Sequence, residues 1–63
     1  MPFIVAKITE GRSSSEKKKL MKAITDATSD TLGIQPANIR VVIDEYPKEH
    51  WSVGGEALSE KQN

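Results

Sequence analysis

Apolar side chains fall on alternate positions at the start of the chain: Ile4, Ala6 and Ile8 share one face of an extended segment, and Phe3 and Val5 begin the other. This period of two predicts a β-strand from Pro2 to Thr9, and apolar residues on both faces predict burial on both sides. Glu10-Gly11-Arg12 breaks the pattern. Ser13 followed three residues later by Glu16 is the signature of a capping box, so a helix is expected to begin near Ser14. Leu20, Ala23, Ile24 and Ala27 recur at spacings of three and four and continue to Leu32, while Lys17, Lys18, Lys22, Asp26 and Ser29 take much of the opposite surface. A helix of that pattern packs one stripe inward. Gly33 is placed to end it, because glycine enters the left-handed conformation without steric cost.

A second run from Ile39 to Tyr46 sets Ile39, Val41 and Ile43 on one face and Arg40, Val42 and Asp44 on the other. Strand, helix and strand with short links fit a right-handed βαβ unit with parallel strands. Pro47 ends the second strand, Lys48 to Trp51 suit a turn of helix, and Gly54-Gly55 suits a hairpin turn or bulge. The polar tail from Ser59 to Asn63 is expected to fray. The expected fold class is α/β in the α+β sense, a single βαβ unit with a C-terminal hairpin. With no internal repeat or linker, residues 1–63 read as one domain. One helix covers only one face of such a sheet, and parallel strands seldom leave a face wet. The sheet is therefore expected to be completed by oligomerisation, through stacked faces or paired edges.

Composition strengthens that expectation. A chain of 63 residues buries only about 60% of the surface its unfolded form exposes. No cysteine and a single histidine leave no disulfide staple and argue against a structural zinc or other metal site. Association is the common remaining remedy. Nine basic and nine acidic side chains cancel to zero net charge, which supplies no broad field for nucleic acid or an anionic membrane. The apolar run from Phe3 to Ala6 is too short for a signal peptide's core or a membrane span. A soluble protein of the cytoplasm is expected.

Met1-Pro2 is the first candidate for chemistry. Removal of Met1 would leave a free secondary amine on Pro2, and burial beside cations would lower its pKa toward neutrality, as a general base requires. With Met1 attached the same nitrogen belongs to a tertiary amide and has no proton to exchange. A proline at the first residue of a strand also has a purely structural reading. Arg12 and Arg40 each carry two readings as well. Arg12 fits a solvated turn and Arg40 a pair with Asp44; together, beside an amine, they suit an anionic substrate, because guanidinium grips a carboxylate with two parallel hydrogen bonds. Trp51, the one tryptophan, reads either as a core or interface anchor or as an apolar wall that excludes water from a pocket. His50 has no second ligand or triad partners. Lys17, Lys18, Lys19 and Lys22 are flanked by Glu16 and Asp26 and read as a solvated helix face. Gly54-Gly55 lacks the spacing of a phosphate loop.

Met1-Pro2 before a strand, Glu10-Gly11-Arg12-Ser13 entering a helix, Ile39-Arg40-Val41 opening a second strand, Trp51 and Gly54-Gly55-Glu56 together resemble the 4-oxalocrotonate tautomerase (2-hydroxymuconate tautomerase) family, the short-subunit branch of the tautomerase superfamily. The likeness spans nearly the whole chain. It implies a cofactor-free isomerase in which Pro2, freed of Met1, carries a proton between carbons of a conjugated 2-hydroxy or 2-oxo acid. It implies that Arg40 binds the carboxylate and oxygen at the reacting end, that Arg12 holds the distal carboxylate of a diacid, and that Trp51 stands where the family has an aromatic, often phenylalanine, lining an apolar pocket. Asn38 falls where the best-known members carry a serine close to the substrate. The resemblance further implies sites assembled from neighbouring chains, a hexamer built as a trimer of dimers, and a role in the degradation of aromatic compounds. Superfamily dehalogenases add a water-activating carboxylate at the place of Val53, which weakens a hydratase or dehalogenase reading here. A noncatalytic oligomeric module binding small carboxylates is the alternative from another class.

Overall fold

The computed structural model of the protein describes residues 1–60. Strand β1 (Phe3–Thr9) leads through a glycine turn into helix α1 (Ser14–Leu32), and a 3-10 turn (Pro36–Asn38) leads into strand β2 (Arg40–Tyr46). β1 and β2 lie parallel, with Phe3 opposite Arg40, Lys7 opposite Asp44 and Thr9 opposite Tyr46. A second 3-10 turn (Lys48–His50) precedes a small antiparallel hairpin of β3 (Ser52–Val53) and β4 (Glu56–Ala57). The turn between them uses Gly54 and Gly55 at φ 64° and 86°. Two successive positive φ values suit a tight hairpin turn that residues with a Cβ resist. The α+β architecture expected from the pattern is thus observed, a βαβ unit followed by a hairpin.

Both ends of α1 are set locally. The Glu16 backbone N–H donates to Ser13 Oγ at 3.1 Å, and the Ser13 N–H donates to Glu16 Oε1 at 3.0 Å. This reciprocal pair satisfies two of the donors left unpaired at a helix start. Gly33 takes φ 67° and its N–H donates to the Ser29 carbonyl at 2.9 Å. No helix among the described residues is long and apolar enough to cross a membrane.

The helix face turned inward differs from the stripe read in the sequence. Lys17, Met21, Ile24, Thr25, Thr28 and Ser29 are half-buried, whereas Ala23 and Ala27 are exposed and Leu32 is 58% exposed. Hydroxyls can occupy an inward face because they bond the helix itself: Thr25 Oγ1 donates to Met21 O and Thr28 Oγ1 to Ile24 O, each at 2.8 Å. Their methyl groups are then free to pack. Ser29, expected outside, donates to Ile34 O at 2.7 Å and ties the helix end to the following loop. Lys17 reaches Glu45 Oε1 on β2 at 3.0 Å, fastening helix to sheet.

Ile4, Ala6, Ile8, Val41 and Ile43 are half-buried, while Phe3 is 67% and Val5 46% exposed. The expectation that β1 is buried on both sides therefore fails within one chain, because α1 covers a single face. Ile39, expected to open β2, sits just before it and is the one buried apolar residue among those described, at 8% exposure. Of the polar tail from Ser59 to Asn63, Ser59 and Glu60 are exposed and close a 3-10 turn (Leu58–Glu60), and residues 61–63 lie outside the described residues. The radius of gyration is 14.6 Å, where a compact domain of this length has about 11 Å. Its accessible surface of 4869 Å² exceeds the roughly 4000 Å² of a folded monomer of its mass.

The capping box generates a pH signature. The backbone N–H of Ser13 holds the Glu16 carboxyl below its ordinary range, aided by the charge of Arg12. A depressed carboxyl contributes stability above its unfolded pKa and loses it as pH falls through the folded one. Urea unfolding at fixed protomer concentration should find Ser13→Ala less stable by about 1 kcal/mol near neutrality. The difference between the parent and Glu16→Gln should close as pH falls through and below the ordinary carboxylate range.

Candidate active site

The parallel register divides the candidate residues between two ends of the sheet. At the first end, the Arg40 N–H donates to the Pro2 carbonyl at 3.0 Å, adding a rung before β1 begins. Pro2 and Arg40 are thereby neighbours. The Arg40 guanidinium donates from Nη1 to the Ala37 carbonyl at 3.3 Å, in the 3-10 turn that Pro36 starts. The pairing of Arg40 with Asp44 that the sequence allowed is absent, because Asp44 faces its register partner Lys7 at 3.1 Å. Asn38 ends the same turn, exposed, with its backbone N–H donating to Gln35 O at 2.9 Å. Beside Pro2 an open groove of about 490 Å³ runs along Phe3, Ile4, Ala27, Thr28 and Leu32. Its walls are mostly apolar.

Arg12 and Trp51 occupy the other end. Arg12 follows β1 and lines a groove of about 310 Å³ with Ile8, Glu16, Lys17 and Leu20. Trp51 follows the turn after β2, half-buried, near Tyr46 and His50. Seven strand residues at about 3.3 Å each put roughly 20 Å between the ends. One chain therefore gathers Pro2, Arg40 and Asn38 but holds Arg12 and Trp51 a strand's length away.

Sequence reasoning passed over Lys7 and Tyr46. Lys7 Nζ donates to the Tyr46 hydroxyl at 2.9 Å and to Asp44 Oδ2 at 3.1 Å, and it lies 5.3 Å from the Tyr46 ring centre. The Tyr46 and Trp51 rings meet edge to face, with centroids 6.1 Å apart. Hydrogen bonds from its ammonium to Tyr46 and then Asp44 raise the Lys7 pKa above the ordinary lysine value. The available signal was period two: Asp44 and Tyr46 share the face of β2 that meets Lys7. Among the described residues no group of three or more His, Cys, Asp or Glu could hold a metal ion.

A family model described as tautomerase enzyme matches residues 2–61. The chain belongs to the tautomerase family. It is 44% identical over 61 residues to a probable tautomerase of Bacillus cereus, with 97% of this chain and 100% of that one covered. It is 36% identical over 62 residues to 2-hydroxymuconate tautomerase of Bacillus subtilis, with 98% and 100% covered. Among solved structures, a heterohexamer 4-oxalocrotonate tautomerase from Chloroflexus aurantiacus superposes with a TM-score of 0.94 at 32% identity, covering 98% of this chain and 100% of that one. The resemblance read from Met1-Pro2, Arg12, Arg40 and Gly54-Gly55 is thereby borne out. This tautomerase is a tautomerase-like isomerase.

Proposed function

We propose that this tautomerase moves a proton between carbons of a conjugated 2-hydroxy or 2-oxo acid such as 2-hydroxymuconate, with Pro2 as the general base once Met1 is removed. The observation that carries the reading is the bond from the Arg40 N–H to the Pro2 carbonyl. It uses the carbonyl side of Pro2 and leaves the ring nitrogen outside the ladder. Met1 is 79% exposed, so a processing enzyme can reach the bond. From a 2-oxo isomer the neutral amine takes a proton from the carbon beside the keto group; from a 2-hydroxy dienol such as 2-hydroxymuconate it takes the hydroxyl proton. Either loss leaves the electron pair spread over the same dienolate. The protonated amine then returns one proton to the far carbon of the conjugated system. No net oxidation occurs and no cofactor is needed. Arg40 binds the carboxylate and developing oxyanion at the reacting end, Arg12 the distal carboxylate, and Asn38 and Trp51 line the substrate. Guanidinium groups fixed where charge develops stabilise it most in a site that excludes water.

Assembly belongs to the same proposal. A substrate at Pro2 cannot touch an Arg12 roughly 20 Å away, so Arg12 and Trp51 come from neighbouring copies. The bare sheet face of Phe3, Val5 and Val42 and the two unpaired strand edges favour association, and the relative from Chloroflexus aurantiacus is a heterohexamer. The proposed assembly is a homohexamer of single-domain subunits, a trimer of dimers.

Replacing Pro2 by alanine should lower turnover of 2-hydroxymuconate by on the order of 10²–10⁴, with the size-exclusion profile unaltered. A variant that keeps most of its activity overturns the assignment. Shared sites have a separate signature. Pro2→Ala and Arg12→Ala subunits, each inactive alone, should regain part of the parental rate when unfolded and refolded together, because some mixed sites draw both intact residues from different chains. Refolding either variant alone should restore nothing.

A further inference from the structure

The single tyrosine and single tryptophan of the chain pack against each other at the end of the sheet remote from Pro2. The backbone of Trp51 is pinned twice: its N–H donates to the Lys48 carbonyl at 3.3 Å, and its carbonyl accepts from the Leu58 N–H at 2.8 Å. Neither bond decides where the indole points. Beside it lies a cleft of about 270 Å³ lined by Lys7, Tyr46, His50, Trp51 and Ser52, room enough for a large ring to turn into. The ring contact that opposes turning is with Tyr46, at an interplanar angle of 79° and 6.1 Å between centres.

Tyr46 is itself held from two directions. As the last residue of β2 its backbone is fixed, and the Glu10 N–H donates to its carbonyl at 2.9 Å. Its side chain is held by one ammonium, through the hydroxyl that accepts from Lys7 at 2.9 Å. Lys7 in turn is opposite Asp44 in the ladder and bonds it at 3.1 Å. The ladder thus positions Lys7 and Asp44, these hold the Tyr46 ring, and the ring's contact restrains the indole. Edge-to-face aromatic pairs bias a side chain toward one rotamer by roughly two- to tenfold.

We propose that Tyr46, braced by Lys7 and Asp44, is the positioning residue that fixes the Trp51 ring as the apolar wall of the substrate site. The inference rests on the reading of Trp51 as a lining residue and names the device that orients it. Tyr46 touches no reacting atom and acts only through the indole.

Because the protein has one tyrosine and one tryptophan, near-ultraviolet circular dichroism and tryptophan emission report directly on this corner. In the Met1-free protein, Tyr46→Leu should weaken the indole dichroism and shift the emission, and raise the KM for 2-hydroxymuconate roughly two- to tenfold with a smaller change in kcat. Tyr46→Phe keeps the ring contact but loses the hydroxyl that Lys7 holds, and Lys7→Met removes the same brace from the other side, so both should fall between the parent and Tyr46→Leu. In a Trp51→Ala background, Tyr46→Leu should raise KM no further. Unchanged indole signals and KM in both Tyr46→Leu and Lys7→Met overturn the proposal, as does an additive loss in the double variant. If Tyr46→Leu does not assemble, Lys7→Met and Tyr46→Phe, each against the parent, decide by the same readouts. If Trp51→Ala alone leaves kcat and KM intact, the lining role of Trp51 fails, and the indole signals of Tyr46→Leu then decide the positioning separately.

Discussion

The bond from the Arg40 N–H to the Pro2 carbonyl starts a parallel ladder, and most of what distinguishes this molecule follows from that register. Parallel pairing with Phe3 opposite Arg40 sets Ile4, Ala6 and Ile8 beside Val41 and Ile43 under the helix. It also leaves Phe3, Val5 and Val42 exposed on the face that α1 does not cover. The same register sends the residue after each strand to the far end of the sheet. Arg12 and Trp51 become neighbours of that end, and Pro2 and Arg40 of the other. A shift by one residue would turn every side chain of a strand to the opposite face. The division of the candidate residues is thus a property of the backbone.

Much of the architecture was legible because its signals are local. Ser13 and Glu16 satisfy each other's backbone within one turn, Gly33 and Gly54-Gly55 supply conformations other residues resist, and alternation marked both strands. The inward face of α1 was less legible. Counting only aliphatic side chains favoured Ala23 and Ala27, whereas Thr25 and Thr28 sit half-buried with their hydroxyls bonded to the preceding turn. The partner of Arg40 was misread for a related reason. Asp44 lies on the same strand face, but a register partner directly across the ladder is nearer, and only the pairing shows that this is Lys7. Tyr46 escaped notice because its meaning depends on Lys7, distant in sequence, and on a turn that brings Trp51 back.

Few contacts hold the isolated chain together. Among the described residues one apolar side chain is buried, and both the surface area and the radius of gyration exceed those of a compact monomer. The ion pairs Lys7–Asp44, Lys17–Glu45 and Lys22–Asp26 involve partly or largely exposed groups, and exposed pairs contribute little, commonly under about 1 kcal/mol. Hydrophobic burial is the dominant favourable term in folding and in most association, so in the proposed assembly a subunit this thin would gain stability from the same contacts that complete its sites. Folding and function would then both depend on protomer concentration.

The rung at Pro2 bears on the proposed excision of Met1. Proline has no N–H, so the peptide bond between Met1 and Pro2 supplies the sheet with no donor, and the ladder engages only the carbonyl that cleavage leaves in place. Excision of Met1 is mechanically silent: it changes the chemistry of one nitrogen without removing a hydrogen bond from the sheet. Under the proposed mechanism the activation step falls on a part of the chain that the ladder does not use, so an inactive precursor and a mature catalyst can share one architecture.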